Sequence, residues 1–258
     1  MQGSGFNGHG VLAIYRFEIA RSMRTLWQSL VTPVITTALY FVVFGAAIGG
    51  RMAAMDGISF GAFIVPGLTL LSVFMQSIFN ASFGIYFPKF TGTIYELLSA
   101  PISSLEVVLA YVGAAVTKSM VLALVTLATA TLFVDVRIEH PVMMLVFLVL
   151  ITTAFCLMGF VIGIWAQNFE QLQIIPMLIV TPLTFLGGAF YSVTALAEPW
   201  RTVTLFNPVV YLVSGFRWTF FGTADVPLWS SVAAMAAIIA ACLGAIIWVF
   251  KTGYRLKQ

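Results

Sequence analysis

The chain has 258 residues, of which 61% are hydrophobic and only 8% carry a charge. A soluble domain carries roughly 25% charged residues, so this chain could not coat a water-facing globule, and lipid must cover most of its surface. Its net charge of +3 is too small and too scattered to point to nucleic acid.

Residues 1–10 are Gly-rich and polar. In 11–29, apolar residues alternate with Arg16, Arg21 and Arg24, and Leu12, Tyr15 and Ile19 can share one face. That pattern predicts an amphipathic helix lying at the interface, with Trp27 near headgroup level. The alternative is an extension of the first span into the cytosol. No long apolar core occupies 1–29, so no cleavable leader is expected.

Apolar runs of the length a bilayer needs, about 20 residues, place spans near 30–49, 59–83, 105–134, 141–166, 171–191 and 228–250. The fold class is therefore all-α, a polytopic membrane protein with six transmembrane helices. Basic residues set its orientation. Arg16, Arg21, Arg24, Lys89, Lys251, Arg255 and Lys257 fall on one face, and Arg51, Arg137, Arg201 and Arg217 on the other. Seven against four places both termini in the cytoplasm.

Enzyme readings find little support. His9 and His140 stand alone, and no HExxH, GxSxG or Walker pattern occurs. Neither catalytic nor metal-ligating residues are assigned. Cys156 and Cys242 lie inside apolar runs without CxxC spacing and read as small buried side chains. Lys118 is the one ionisable group well inside a span, about 20 Å from its start at ~1.5 Å per residue. It can snorkel to the inner interface, or contact a partner helix or an anionic substrate.

Two connectors fail to span. In 84–104, Pro88 is expected to break the second helix, and Thr93 with Glu96 forms an [ST]-x-x-E pattern that predicts a capped short helix ended by Pro101. Residues 192–227 are apolar and aromatic in the middle but interrupted at Asn207-Pro208. Too few residues flank Pro208 on either side to cross a bilayer. Two short helices dipping into the outer leaflet and returning fit this, and a seventh span kinked at Pro208 is the alternative.

With these segments laid out, the chain resembles the type-2 ATP-binding-cassette (ABC) exporter permeases over roughly 12–255. The segment KFTGTIYELLSAPISSLEVVLAYV, from Lys89, is similar to that family's stretch between spans two and three. TPLTFLGGAFYSVTALAEPWRTVTLFNPVVYLVSGFR, from Thr181, is similar to its fifth span and outer hairpin. Lys118 falls where many members carry a basic residue. The nearest likeness is to compact bacterial drug, nodulation-factor and polysaccharide permeases.

The resemblance implies a single transmembrane permease domain over 1–258 in the bacterial cytoplasmic (inner) membrane, paired as a homodimer. Two copies of a separate cytosolic ATPase would hold ATP and Mg, with no cofactor in this chain. It implies an elbow helix at 11–29 (Tyr15, Arg16, Arg21, Arg24, Trp27) and a cytosolic coupling segment at 84–104 (Lys89, Phe90, Thr93, Glu96, Leu97, Pro101). It also implies an extracytoplasmic re-entrant hairpin at 192–227, whose gate is Phe206, Asn207, Pro208 and Tyr211. The substrate path would run past Thr37, Phe41, Phe44, Gln76, Asn80, Phe83, Thr181 and Phe185. An apolar lining suits an amphipathic, lipid-linked, glycan or drug-like cargo moving outward. The alternative is a secondary transporter or channel working without an ATPase, which needs a buried carboxylate in a span; none occurs near the middle of one.

Overall fold

A computed structural model describes residues 6–48 and 58–255. Arg51 and Lys257, which count toward the orientation, lie outside the described residues. Among the described residues, all regular structure is helical apart from an isolated bridge residue at Ile58, and five helices are long and apolar enough to cross a membrane.

Helix α1 (Gly8–Arg24) opens with the Asn7 side chain accepting the Gly10 N–H at 2.9 Å. It ends at Thr25, and α2 (Leu26–Tyr40) follows at once, continuing in wider π turns over Phe41–Ile48. Contacts between α1 and α5 (Ser104–Ala130) advance together along both helices. The Asn7 N–H meets Glu106, Tyr15 shares a hydrogen bond of 2.9 Å with Thr117, and Arg21 faces Lys118. The predicted interfacial helix thus runs alongside the first half of α5 rather than across it.

Helix α3 (Phe60–Thr91) corrects the expectation of a break at Pro88. It continues for 32 residues through both Pro66 and Pro88 and stops only at Gly92, whose φ of +81° forms a left-handed cap. At ~1.5 Å per residue it is about 48 Å long, well beyond a hydrocarbon core of about 30 Å. Tertiary anchors hold its end together past the proline. Tyr86 donates to Gln167 O at 3.0 Å, and Lys89 Nζ donates to Ile164 O and Ala166 O, each at 2.8 Å.

The short helix α4 (Ile94–Ser99) forms without the expected capping box: Thr93 sits in the αR region and makes no capping bond. Its hydroxyl is taken up by Thr91 and Pro88 O instead. The box lies ten residues on, where Ser103 accepts the Glu106 N–H and the Glu106 carboxylate accepts the Ser103 N–H at 2.7 Å, opening α5. Helix α6 (Pro141–Trp165) starts on a proline that needs no N–H there.

The expected fifth span, 171–191, is shorter in the structure. It consists of three five-residue pieces: α7 (Gln171–Ile175), π turns at Pro176–Val180, and α8 (Thr181–Phe185). Together they reach about 22 Å at ~1.5 Å per residue. Pro176 and Pro182 break the regular ladder, and Gly188, at φ +79°, turns the chain.

The connector 192–227 holds α9 (Trp200–Leu205) and α10 (Pro208–Phe221), so Pro208 begins a helix rather than kinking one. Helix α11 (Leu228–Thr252) closes the fold. The core centres on α3, packed by α5, α6 and α10, while α2 and α11 leave most of their apolar surface uncovered.

Candidate functional site

Between α2, α3 and the α7–α8 segment lies a groove of about 660 Å³. Its polar lining is Gln28, Ser29, Thr32, Gln76, Asn80, Gln173 and Thr181, set among Met75, Phe79, Leu172, Pro176 and Met177. No charged side chain among the described residues lines it. Such a surface can hold an amphipathic molecule through amide and hydroxyl hydrogen bonds against apolar and sulfur contacts. Thr181 gives its hydroxyl to Pro176 O at 3.2 Å, which bridges the π turns.

Of the residues predicted for the path, the groove brings together Gln76, Asn80 and Thr181. Phe83 lines a smaller cavity next to it. Two are corrected: Thr37 and Phe41 are 1% and 2% exposed and belong to the core of the chain. Phe44 and Phe185 converge with Phe190, ring centroids 5.4 and 4.9 Å from it. Sequence reading missed Gln28, Thr32, Gln173 and Phe190. Gln28 and Gln173 are amides at the starts of apolar helices, a signal that was available.

At the C-terminal end of α3, α4 is anchored by Ile94, only 2% exposed, and turns Thr93, Tyr95 and Glu96 outward. Phe90 and Pro101 are exposed beside it, and Leu97 is half-buried. Phe169, from the connector after α6, packs edge-on to Phe90 at 5.0 Å and widens this surface. Lys89 does not belong to it, contrary to expectation. It is 7% exposed, and its ammonium caps the final carbonyls of α6, where a cation suits the negative end of the helix. Arg255 adds a hydrogen bond to Trp165 O at 2.7 Å.

On the elbow, Tyr15 packs inward, while Arg16, Arg24 and Trp27 are exposed. Arg21 is half-buried, paired with the carboxylate of Glu18, and lies over Phe83 and Phe87 at 5.3 and 5.7 Å. Glu18 is 4% exposed. Burial raises its carboxyl above the usual range, and Arg21 opposes that shift. Beside them stands Lys118, half-buried on α5.

Around the two short helices, Asn207 is the joint. Its Oδ1 accepts the Val209 N–H at 3.0 Å, and its Nδ2 donates to Leu183 O at 2.6 Å, tying α10 to the end of α8. Tyr211 donates to Leu205 O at 2.9 Å, linking α10 back to α9. Pro208 stands at the first turn of α10, and Phe206 is 85% exposed. Arg217, not singled out for this region, is 3% exposed. It pairs with Asp225 at 2.9 Å, donates to Gly188 O and stacks over Phe63 at 4.1 Å. An arginine inside an apolar run with an aspartate eight residues on was the signal.

Among the described residues no group of His, Cys, Asp and Glu could hold a metal ion. Cys156 is fully buried, and His140 packs edge-on to Trp218 at 4.4 Å.

An all-helical fold with apolar spans, an uncharged amphipathic groove and an exposed short helix at the end of the longest span defines a polytopic membrane protein. Comparison with known proteins narrows this. The family model described as ABC-2 type transporter matches residues 9–221. An Escherichia coli K12 protein named inner membrane transport permease YadH is 38% identical over 229 residues, covering 89% of this chain and 90% of that one. Nodulation protein J of Rhizobium meliloti is 23% identical over 217 residues, covering 82% and 81%. The chain belongs to the ABC-2 type transporter family.

Proposed function

We propose that this chain is the membrane subunit of an ATP-driven exporter, working as a homodimer with two copies of a separate cytosolic ATPase that binds ATP and Mg. The observation that carries this reading is the uncharged groove of about 660 Å³. It is open along one side, where the exposed faces of α2 (Ile35, Leu39) and α7–α8 (Met177, Leu178) flank it. A second copy set against those faces would close two grooves into one path. The cargo is amphipathic: lipid-linked, glycan or drug-like. ATP supplies the driving force, so the path needs no titratable group of its own.

The name of the Escherichia coli relative supports a place in the bacterial inner membrane. The basic termini support a cytoplasmic location for both ends. The surface of Phe90, Thr93, Glu96 and Pro101 then docks the ATPase, with Leu97 behind it. Closure of the ATPase pair moves α4 and, through α3, the groove. The region around Phe206, Asn207, Pro208 and Tyr211 forms the outer gate.

The test is copurification with a Walker-motif ATPase encoded beside this chain, then hydrolysis and transport in lipid discs. Cargo-stimulated hydrolysis is expected, whereas transport without any ATPase would support a secondary transporter. Glu96→Arg is expected to lower ATPase retention and stimulated hydrolysis about tenfold, the loss of one charge-assisted contact, with an unchanged melting temperature. Full retention and full stimulation in that variant would remove α4 from the docking surface.

A further inference from the structure

A second cavity, of about 280 Å³, lies where α1 gives way to α2, against α3 and α5. It is partly open to the surface rather than sealed. Its charged lining is Glu18, Arg21 and Lys118, accompanied by Asn80 and Tyr111. These groups leave an imbalance that the chain does not settle internally. One Glu18 oxygen is engaged by Arg21, but the other, Oε1, is buried without a hydrogen-bond partner. Lys118 makes no hydrogen bond or ion pair among the described residues, and the charge acting on it is Arg21, of like sign. Asn80 does not serve either group, because its amide donates to Ser119 at 3.3 Å.

An unmet buried acceptor and an unmet, half-buried cation facing one pocket each carry a desolvation cost. They do not reach each other, so the complementary guest carries an anion at one end and an N–H cation at the other.

We propose that this cavity is a headgroup site for an aminophospholipid, with its phosphate on Lys118 and Arg21 and its ammonium on Glu18 Oε1. Position selects a lipid over a soluble phosphate. The cavity sits at the first turn of a spanning helix, beside Trp27, which is 78% exposed, and such rings mark headgroup depth. Val31, 43% exposed and one helical turn on from Trp27, offers acyl chains an apolar contact. A bound headgroup would pin the α1–α2 joint at Thr25, coupling lipid composition to the elbow. The proposal concerns binding only and stands independently of the exporter reading.

The test uses the full-length chain, delipidated in detergent and titrated in native mass spectrometry. Its probes are phosphatidylethanolamine, phosphatidylglycerol and phosphatidylcholine with matched acyl chains, with inorganic phosphate as competitor. Phosphatidylethanolamine is expected to bind about tenfold more tightly than the other two, the worth of one charge-assisted hydrogen bond. Excess inorganic phosphate is expected not to displace it. Glu18→Gln should erase the preference over phosphatidylcholine while leaving phosphatidylglycerol binding equal or stronger, since Arg21 is released. Lys118→Met should weaken both phosphatidylethanolamine and phosphatidylglycerol, and Lys118→Arg should restore them. Equal binding of phosphatidylethanolamine and phosphatidylcholine, displacement by phosphate, or an undiminished preference in Glu18→Gln would each overturn the site. If Lys118→Met does not fold, the headgroup series on the parent chain and on Glu18→Gln decides alone.

Discussion

Replacing Arg217 with methionine should destabilise the protein by about 3–5 kcal/mol, the range for stranding one member of a buried ion pair. The guanidinium joins three segments distant in sequence: Asp225 after α10, Gly188 after α8, and the ring of Phe63 on α3. Methionine fills similar space but leaves Asp225 with the Ser192 hydroxyl and its own backbone contacts, and leaves Gly188 O without that donor. Thermal unfolding in detergent should show a midpoint lower by about 10 °C, at 2–4 °C per kcal/mol for a chain of this size. The double variant Arg217→Met/Asp225→Leu should recover most of the loss, because an apolar replacement of a buried pair is often neutral. A double variant as unstable as the two singles added together would mean that the pair is not the stabilising unit. Arg217 already has an unsatisfied Nε in the folded state. The pair is therefore better understood as fixing how the short helices meet α3 than as a source of net stability.

The membrane class was legible because composition alone forbids a water-facing surface. Where each span ends was less so. Pro88 is a helix breaker in isolation, yet α3 passes it because Lys89 and Tyr86 bond to carbonyls at the end of α6, more than seventy residues away. The pattern [ST]-x-x-E occurs both at Thr93 and at Ser103. Only the second forms a capping box, since Thr93 is held in helical geometry by the end of α3. Path residues were harder still, because an apolar helix has no polar face to orient it. The π turns at Phe41–Ile48 and Pro176–Val180 also rotate the chain beyond them, so extrapolating at 3.6 residues per turn misplaces side chains. Phe41, at the first of these turns, and Thr37, one turn before it, are buried in the core, while Gln76 and Asn80, one turn apart on the regular stretch of α3, line the groove. Glu18 was missed because an acid among arginines reads as part of a solvated face; its burial depends on α3 and α5.

The second large effect is expected at Gly159 and Gly163. They stand one turn apart on α6, the small-xxx-small spacing that lets membrane helices approach backbone to backbone. A Cβ on Gly159 would lie 2.4 Å from Ile78 O, and one on Gly163 would lie 2.4 Å from Ser82 O. Both obstacles are main-chain atoms of α3, so no side chain can swing aside and the two helices must separate. Gly163→Val is expected to cost about 3 kcal/mol, the upper end for overpacking a tight core, with a matching fall in the thermal midpoint. Gly244→Val on α11 is the control. A Cβ there meets nothing within 4 Å, so stability should change by less than about 0.5 kcal/mol. If the two variants melt together, close α3–α6 packing is not what holds the centre of the bundle. Gly163 also bears on function through its position. It immediately precedes Ile164, whose carbonyl accepts the Lys89 ammonium two residues before α3 ends at Thr91. Forcing α6 away at Gly163 therefore strains the joint that holds the end of α3 and the start of α4. In Gly163→Ala, the milder substitution, the proposed docking role of α4 predicts a folded fraction that still binds an ATPase yet loses its stimulation, separating the frame from the device it positions.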